Sequence, residues 1–205
     1  ALKSGIENLE KHIENIQTFN ICAVVAINKF VSDSEEELQY IKQYAEERGI
    51  DAVITDVWGE GGKGATDLAK KVKFVADNCK NKYSPMYDWE WDIPTKIETV
   101  AKKIYGAAAI DYTATARSDL KKIKDLGMEK VPVCIAKTQK SLSDNPKLLG
   151  RPKDFIVTVR EIELSSGAGF VVPITGKILR MPGLPSKPSA EGIDVDNDGH
   201  ISGLF

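Results

Sequence analysis

Histidine is nearly absent: in 205 residues only His12 and His200 occur. A histidine-based catalytic triad or a centre of several histidines is therefore not expected within the chain. Cysteine is scarce as well. Cys22, Cys79 and Cys134 lie far apart with no C-x-x-C spacing, and one of the three is necessarily unpaired within the chain. That is the pattern of a reduced, cytosolic protein without a zinc site. No apolar run is long enough to cross a bilayer, and no signal-peptide pattern is seen. The net charge is only −2, with no long basic run, which argues against a general nucleic-acid binder.

What is present supports a core. A hydrophobic content of 42% over this length suits one domain or two small ones. The stretch that organises the rest is AVITDVWGEGGKGAT, Ala52 to Thr66. It reads as a buried strand, a glycine-rich loop and the start of a helix. Gly59, Gly61 and Gly64 fall in the pattern G-x-G-x-x-G, with Gly62 between them. Such a loop at a helix N-terminus offers free N–H groups to an anion. Trp58 stands beside it, so the stretch suits a ligand with a flat ring and a charged tail.

The flanking sequence places this loop. Ser4 to Phe19 has apolar residues at helical steps (Ile6, Leu9, Ile13, Ile16). An α/β domain more usually begins with a strand, so the start of the chain is read as a cut. Ile21 to Ile27 is a continuous apolar run, expected as a strand covered on both faces. Ser32 with Glu35 forms a candidate capping box, and Gly49 is a helix stop. Ala52 to Val57 is the next strand and Ala65 to Cys79 the next helix. This β-α-β-α order predicts a parallel sheet, whose ligands bind beyond the carboxyl ends of the strands. Phe30 and Trp58 each come just after a strand end. They either face one another across a cleft or plug the sheet edge.

Neither nucleotide motif is complete. The dinucleotide fingerprint needs a further strand with an acidic residue about 20 positions on. Here the helix leads instead into NKYSPMYDWEWD, and Lys63 is followed by Gly64 and Ala65 rather than by a hydroxyl residue. An NAD-binding module is disfavoured on that ground.

Further along, Trp89 and Trp91 alternate and can bury on one face. Pro94 opens a helix that Gly106 ends, and Ala114 to Leu126 is another, stopped by Gly127. Val131 to Ala136 reads as a buried strand. Lys137 to Pro152 is a long polar loop, either functional or packed on another domain. Phe155 to Leu164 and Phe170 to Thr175 read as paired strands, and Met181 to Pro188 as an extended loop. Asp194, Asp196, Asp198 and Gly199 copy the start of a calcium loop, but Phe205 stands where its closing glutamate belongs. The better reading is a hairpin through Asn197-Asp198-Gly199. The expected class is α/β: three layers, a mainly parallel sheet with flanking helices, then a part rich in β-hairpins. Residues 1–205 are expected as one compact unit, with 1–80 as a βαβα half and 81–205 as the remainder.

An ordered series of motifs resembles a known family: NLEKHIENI, VVAIN-x-F, the VW-x-x-GG-x-G loop, KTQ-x-SLSD with LGRP, TVREIELS-x-GAGF, VPITG-x-I, MPGLP-x-x-P and a closing ID-x-D-x-x-G-x-I-x-GLF. Together they resemble the C-terminal portion of formate–tetrahydrofolate ligase. The resemblance implies ATP-dependent formylation of tetrahydrofolate through formyl phosphate, with Mg2+ and a monovalent cation, in a cytoplasmic homo-oligomer. It implies that Phe30 and Trp58 hold the pterin ring, with Ile54 as a further apolar contact and Asn28 beside them. Gly59, Glu60, Gly61 and Gly62 then form the loop near the ligand. No catalytic residue and no metal ligand is expected in this chain, because the family's ATP-binding lysine and phosphate-holding groups match upstream sequence. The expectation is a folate-side part that is inactive alone and pairs with an ATP-binding portion. The alternative is a non-catalytic folate- or nucleotide-binding module. Departures from the family pattern are Val31 for proline, the WGEGGKG form of the loop, Lys140 for tyrosine, and Trp89 and Trp91 at aliphatic positions.

Overall fold

A computed structural model describes residues 2–80, 82–176, 178 and 186–203. The expected loop 181–188 falls largely on 181–185, outside the described residues.

The first helix, α1 (Leu2–Gln17), buries Ile6 and Ile13 and leads into β1 (Val24–Asn28). Helix α2 (Glu35–Glu46) comes next, then β2 (Asp51–Thr55). The two strands pair in parallel, from Val24 opposite Asp51 to Asn28 opposite Thr55, as the β-α-β order requires. The capping box of α2 is built on Ser34 and Glu37, two residues beyond the expected pair. Asp33 is the reason. Its carboxyl accepts the Phe30 N–H at 2.8 Å, and Asp33 N–H returns to Phe30 O at 3.0 Å. This closes a turn before the helix begins. Gly49 ends the segment with φ +71°, a conformation that costs glycine little.

One face of this pair is well covered. Ile13, Ile27, Leu38, Ala45, Ile50 and Ala52 form a core between α1, α2 and the sheet. The other face is not, contrary to the expectation for Ile21 to Ile27: Ala26 and Asn28 are exposed. The helix on that side, α4 (Thr66–Asn78), has no fully buried residue. Its inward stripe of Leu68, Lys71, Val75 and Cys79 is only half-buried. Cys79 is joined to Cys22 by a disulfide, with Cα atoms 6.4 Å apart. The expected reduced state is thus corrected: the fold brings Cys22, two residues ahead of β1, against Cys79, which caps the end of α4. Cys134 remains free and exposed.

The remainder forms around a second sheet. Helix α5 (Ile93–Val100) starts at Asp92, whose carboxyl accepts the Thr95 N–H at 2.9 Å, and continues as a wider turn to Tyr105. Strand β3 (Ala109–Tyr112), not foreseen from sequence, pairs in parallel with β4 (Ile156–Ser165). Helix α6 (Ala114–Asp125) packs over it, and β5 (Phe170–Thr175) pairs antiparallel to β4. Ile93, Ile97, Ala116, Ile123, Val159, Ile162 and Val171 make the core here. Residues Val133 and Ala136 bridge β5 in parallel, so the expected strand lies where it should, as two bridges. Parallel pairing therefore occurs in two separate sheets. Trp89 and Trp91 are exposed rather than buried; Trp89 meets Tyr87 edge to face, with centroids 5.8 Å apart. The tail forms the expected hairpin from β6 (Asp194–Val195) and β7 (Ile201–Ser202). No helix among the described residues is long and apolar enough to cross a membrane.

Candidate functional site

Strands β1 and β2 end side by side, and the site is built on the residues just beyond those two ends. Asn28 closes β1 opposite Thr55, whose hydroxyl donates to Ile27 O at 3.3 Å. Lys29 N–H donates to Thr55 O at 2.9 Å, which carries the ladder one step further. Phe30 comes next and is 58% exposed. From β2 the chain passes through Asp56 into a single turn, α3 (Val57–Glu60), on which Trp58 is 78% exposed. Both rings thus stand at the carboxyl edge of one parallel pair. The ring contacts of the described residues do not include one between them. Ile54 lies just inside the edge, half-buried against the core beneath.

The glycine loop is organised by a residue that its sequence pattern does not single out. The Asp56 carboxyl accepts the Gly59 N–H at 2.8 Å, and its carbonyl accepts the Glu60 N–H at 3.0 Å. Asp56 N–H donates to Gly64 O at 3.3 Å. Lys29 Nζ lies 3.9 Å from the other carboxyl oxygen and links the two strand ends. The glycines make this wrapping possible. A Cβ on Gly59 would lie 2.7 Å from Asp56 Oδ1, and one on Gly64 only 2.1 Å from Asp56 O. Gly61 turns the chain with φ +59°, while Gly62 faces open space. The loop therefore closes on its own acidic residue, which takes up the N–H groups of Gly59 and Glu60. With Lys63 followed by Gly64, the loop residues do not fit the phosphates of a nucleotide.

Two lysines are drawn inward elsewhere. Lys96 is fully buried, and its ammonium donates to Trp89 O at 2.7 Å and to the carbonyls of Lys130 and Val131. Lys137 donates to Thr138 O at 3.0 Å, Ser143 O at 3.3 Å and Ser141 O, which folds the long polar loop back on itself. Burial pushes both below the ordinary lysine value. Both act as pins for backbone carbonyls. That loop also docks on α1: Arg151 grips Glu14 with both guanidinium nitrogens, at 2.8 and 2.7 Å, and Asn8 Nδ2 donates to Gly150 O at 2.8 Å.

Asp196, Asp198 and His200 place ligand atoms within 4.8 Å of one another, all exposed at the tail hairpin. Asp194, offered by the calcium-like spacing, lies in β6 instead. The backbone N–H of His200, together with neighbouring N–H groups, holds the Asp196 carboxyl below its usual range. This is a turn held by its own acid.

Two clefts lie away from this edge. One of about 550 Å³ lies by Leu2, Glu36 and Tyr40, and one of about 500 Å³ by Cys22, Phe74 and Cys79. The aromatic pair instead stands exposed at the sheet edge. A model of the formate–tetrahydrofolate ligase family matches residues 1–205, the whole sequence, and the chain belongs to that family.

Proposed function

We propose that this chain is the folate-side, C-terminal part of an ATP-dependent ligase that formylates tetrahydrofolate from formate by way of formyl phosphate. Membership of the family supports ligase chemistry with tetrahydrofolate and ATP as substrates. The observation that carries the folate assignment is the pair of exposed rings, Phe30 and Trp58, at one sheet edge above Ile54. A pterin stacked between them gains burial plus about 1 kcal/mol for a good ring pair. Asn28 and the loop Gly59, Glu60, Gly61 and Gly62 flank that position. The phosphoryl step is assigned to no residue of this chain. ATP, Mg2+ and the monovalent cation belong to an ATP-binding portion, on the same or a separate polypeptide, in a cytoplasmic homo-oligomer.

The exposed apolar residues favour this reading over an independent binding module. Val31 is 84% exposed, Val57 is exposed just beyond β2, and Val72 and Phe74 are exposed on α4. A lone domain rarely shows so much apolar surface around one sheet. The test is tryptophan fluorescence during a tetrahydrofolate titration of the chain and of Trp58→Ala. Saturable quenching that the substitution removes is expected. Equal quenching in a folded Trp58→Ala variant would overturn the assignment. Mixing with the ATP-binding portion is expected to give ATP-dependent formylation, while the chain alone gives none.

A further inference from the structure

The helix beyond the glycine loop is held in an unusual way. Helix α4 buries no residue fully, and Val72 and Phe74 point outward at 48% and 59% exposure. Among the described residues, two side-chain ties join it to the sheet. Near its middle Lys71 Nζ meets Asp51 Oδ1 at 2.8 Å. At its end Cys79 is bonded to Cys22. The ionic tie is partly exposed, so the covalent one anchors the far end of the helix.

That anchor is accessible. Cys22 is exposed, and the cleft of about 500 Å³ beside it, lined also by Gln17, Asn20 and Asn78, is open enough to admit a small thiol or a peptide's cysteine pair. The near end of α4 continues directly from the loop that carries Trp58, whose closure runs through Asp56 N–H to Gly64 O. Whatever loosens α4 therefore reaches that loop through one continuous stretch of backbone.

We propose that Cys22–Cys79 is a thiol–disulfide exchange site for a dithiol reductant, and that its redox state sets whether α4 is held or loose. The reductant's thiolate attacks the exposed Cys22 sulfur and forms a mixed disulfide. The Cys79 sulfur leaves with the bonding pair and takes a proton. The second thiol of the reductant then attacks the mixed disulfide, closes the reductant's own disulfide and releases Cys22. Two electrons pass to the protein and two thiols result. Cys134, free and exposed, takes no part and serves as an internal reference for alkylation. The proposal does not depend on the folate assignment.

The test uses the full chain oxidised in air, with and without dithiothreitol treatment, the dithiothreitol being removed before labelling. Iodoacetamide labelling under native conditions is expected to modify Cys134 alone before reduction and all three cysteines after it. Amide hydrogen exchange over 66–78 is expected to speed up at least tenfold on reduction, and that over 57–65 to quicken with it, while 35–46 stays unchanged. The Cys22→Ser/Cys79→Ser variant is expected to exchange fast in either condition. Labelling of all three cysteines in the oxidised sample overturns the proposal. So does equal exchange of 66–78 in oxidised and reduced protein. The wild-type comparison decides the matter even where the double variant fails to fold.

Discussion

At the scale of single residues, the loop after β2 is a shell around Asp56, and its glycines differ in what they permit. Gly64→Ala places a methyl group 2.1 Å from the Asp56 carbonyl, so the closure of the loop must open. The expected cost is about 1–3 kcal/mol, typical of overpacking, read as a lower urea midpoint. At least a tenfold loss of tetrahydrofolate affinity is expected with it. Gly62→Ala meets nothing within 4 Å and is expected to change stability by less than about 0.5 kcal/mol. The pair of variants separates the loop's closure from its mere glycine content. The placement of Phe30 and Trp58 just after two strand ends was legible in the sequence, because a strand end followed by an aromatic is a local pattern. Asp56 was not. An acid that caps one turn through a 2.8 Å bond to Gly59 looks in sequence like any polar residue after a strand. It takes up two of the N–H groups of the glycine loop, those of Gly59 and Glu60.

At the scale of elements, local signals gave the helices and non-local pairing withheld the rest. The helix periods, Pro94 at a helix start, and the stops at Gly49 and Gly106 all act within a turn, and all proved sound. Strand β3 escaped because Ala109-Ile-Asp-Tyr is a run of only 4 residues, too short to stand out; it is made by register with Ile156 to Val159, far along the chain. Its last residue carries a pH dependence. Burial raises the Tyr112 phenol to about 12 from an ordinary 10. The folded state thus keeps the proton longer than the unfolded one. Stability from this source is fully present below pH 10 and is lost as pH rises from 10 towards 12. Chemical unfolding measured across that window is expected to lose stability with pH. The loss should be shallower in Tyr112→Phe, which keeps the ring that packs in the core. An unchanged slope in that variant would mean that the phenol is wetter than its packing indicates.

At the scale of the whole molecule, the apolar clusters and the contacts between them are of different kinds. One core lies among α1, α2 and the β1–β2 pair, another among α5, α6 and the β3–β4–β5 sheet. Polar ties join them along α1: Arg151 to Glu14 and Glu10, Asn8 to Gly150, and Lys11 Nζ to Lys103 O at 2.7 Å. Arg151→Ala is expected to leave both cores intact and to cost about 1–2 kcal/mol, the scale of a lost charge-assisted pair. Amide exchange in 137–152 is expected to quicken while that in α2 and β4 does not. The disulfide acts on a third region, the far end of α4, so its reduction and the Arg151 change should add independently.

A join of this kind responds to ionic strength in the opposite sense to the parts it joins. At 1 M salt the screening length falls to about 3 Å, and partly exposed ion pairs such as Arg151 with Glu10 weaken. Sulfate meanwhile strengthens apolar burial. A sulfate-rich solution thus tightens each core while slackening the seam between them. Conditions chosen to preserve this protein can then favour two sound pieces in loose register, and a seam that is weakest in salt is best kept at low ionic strength.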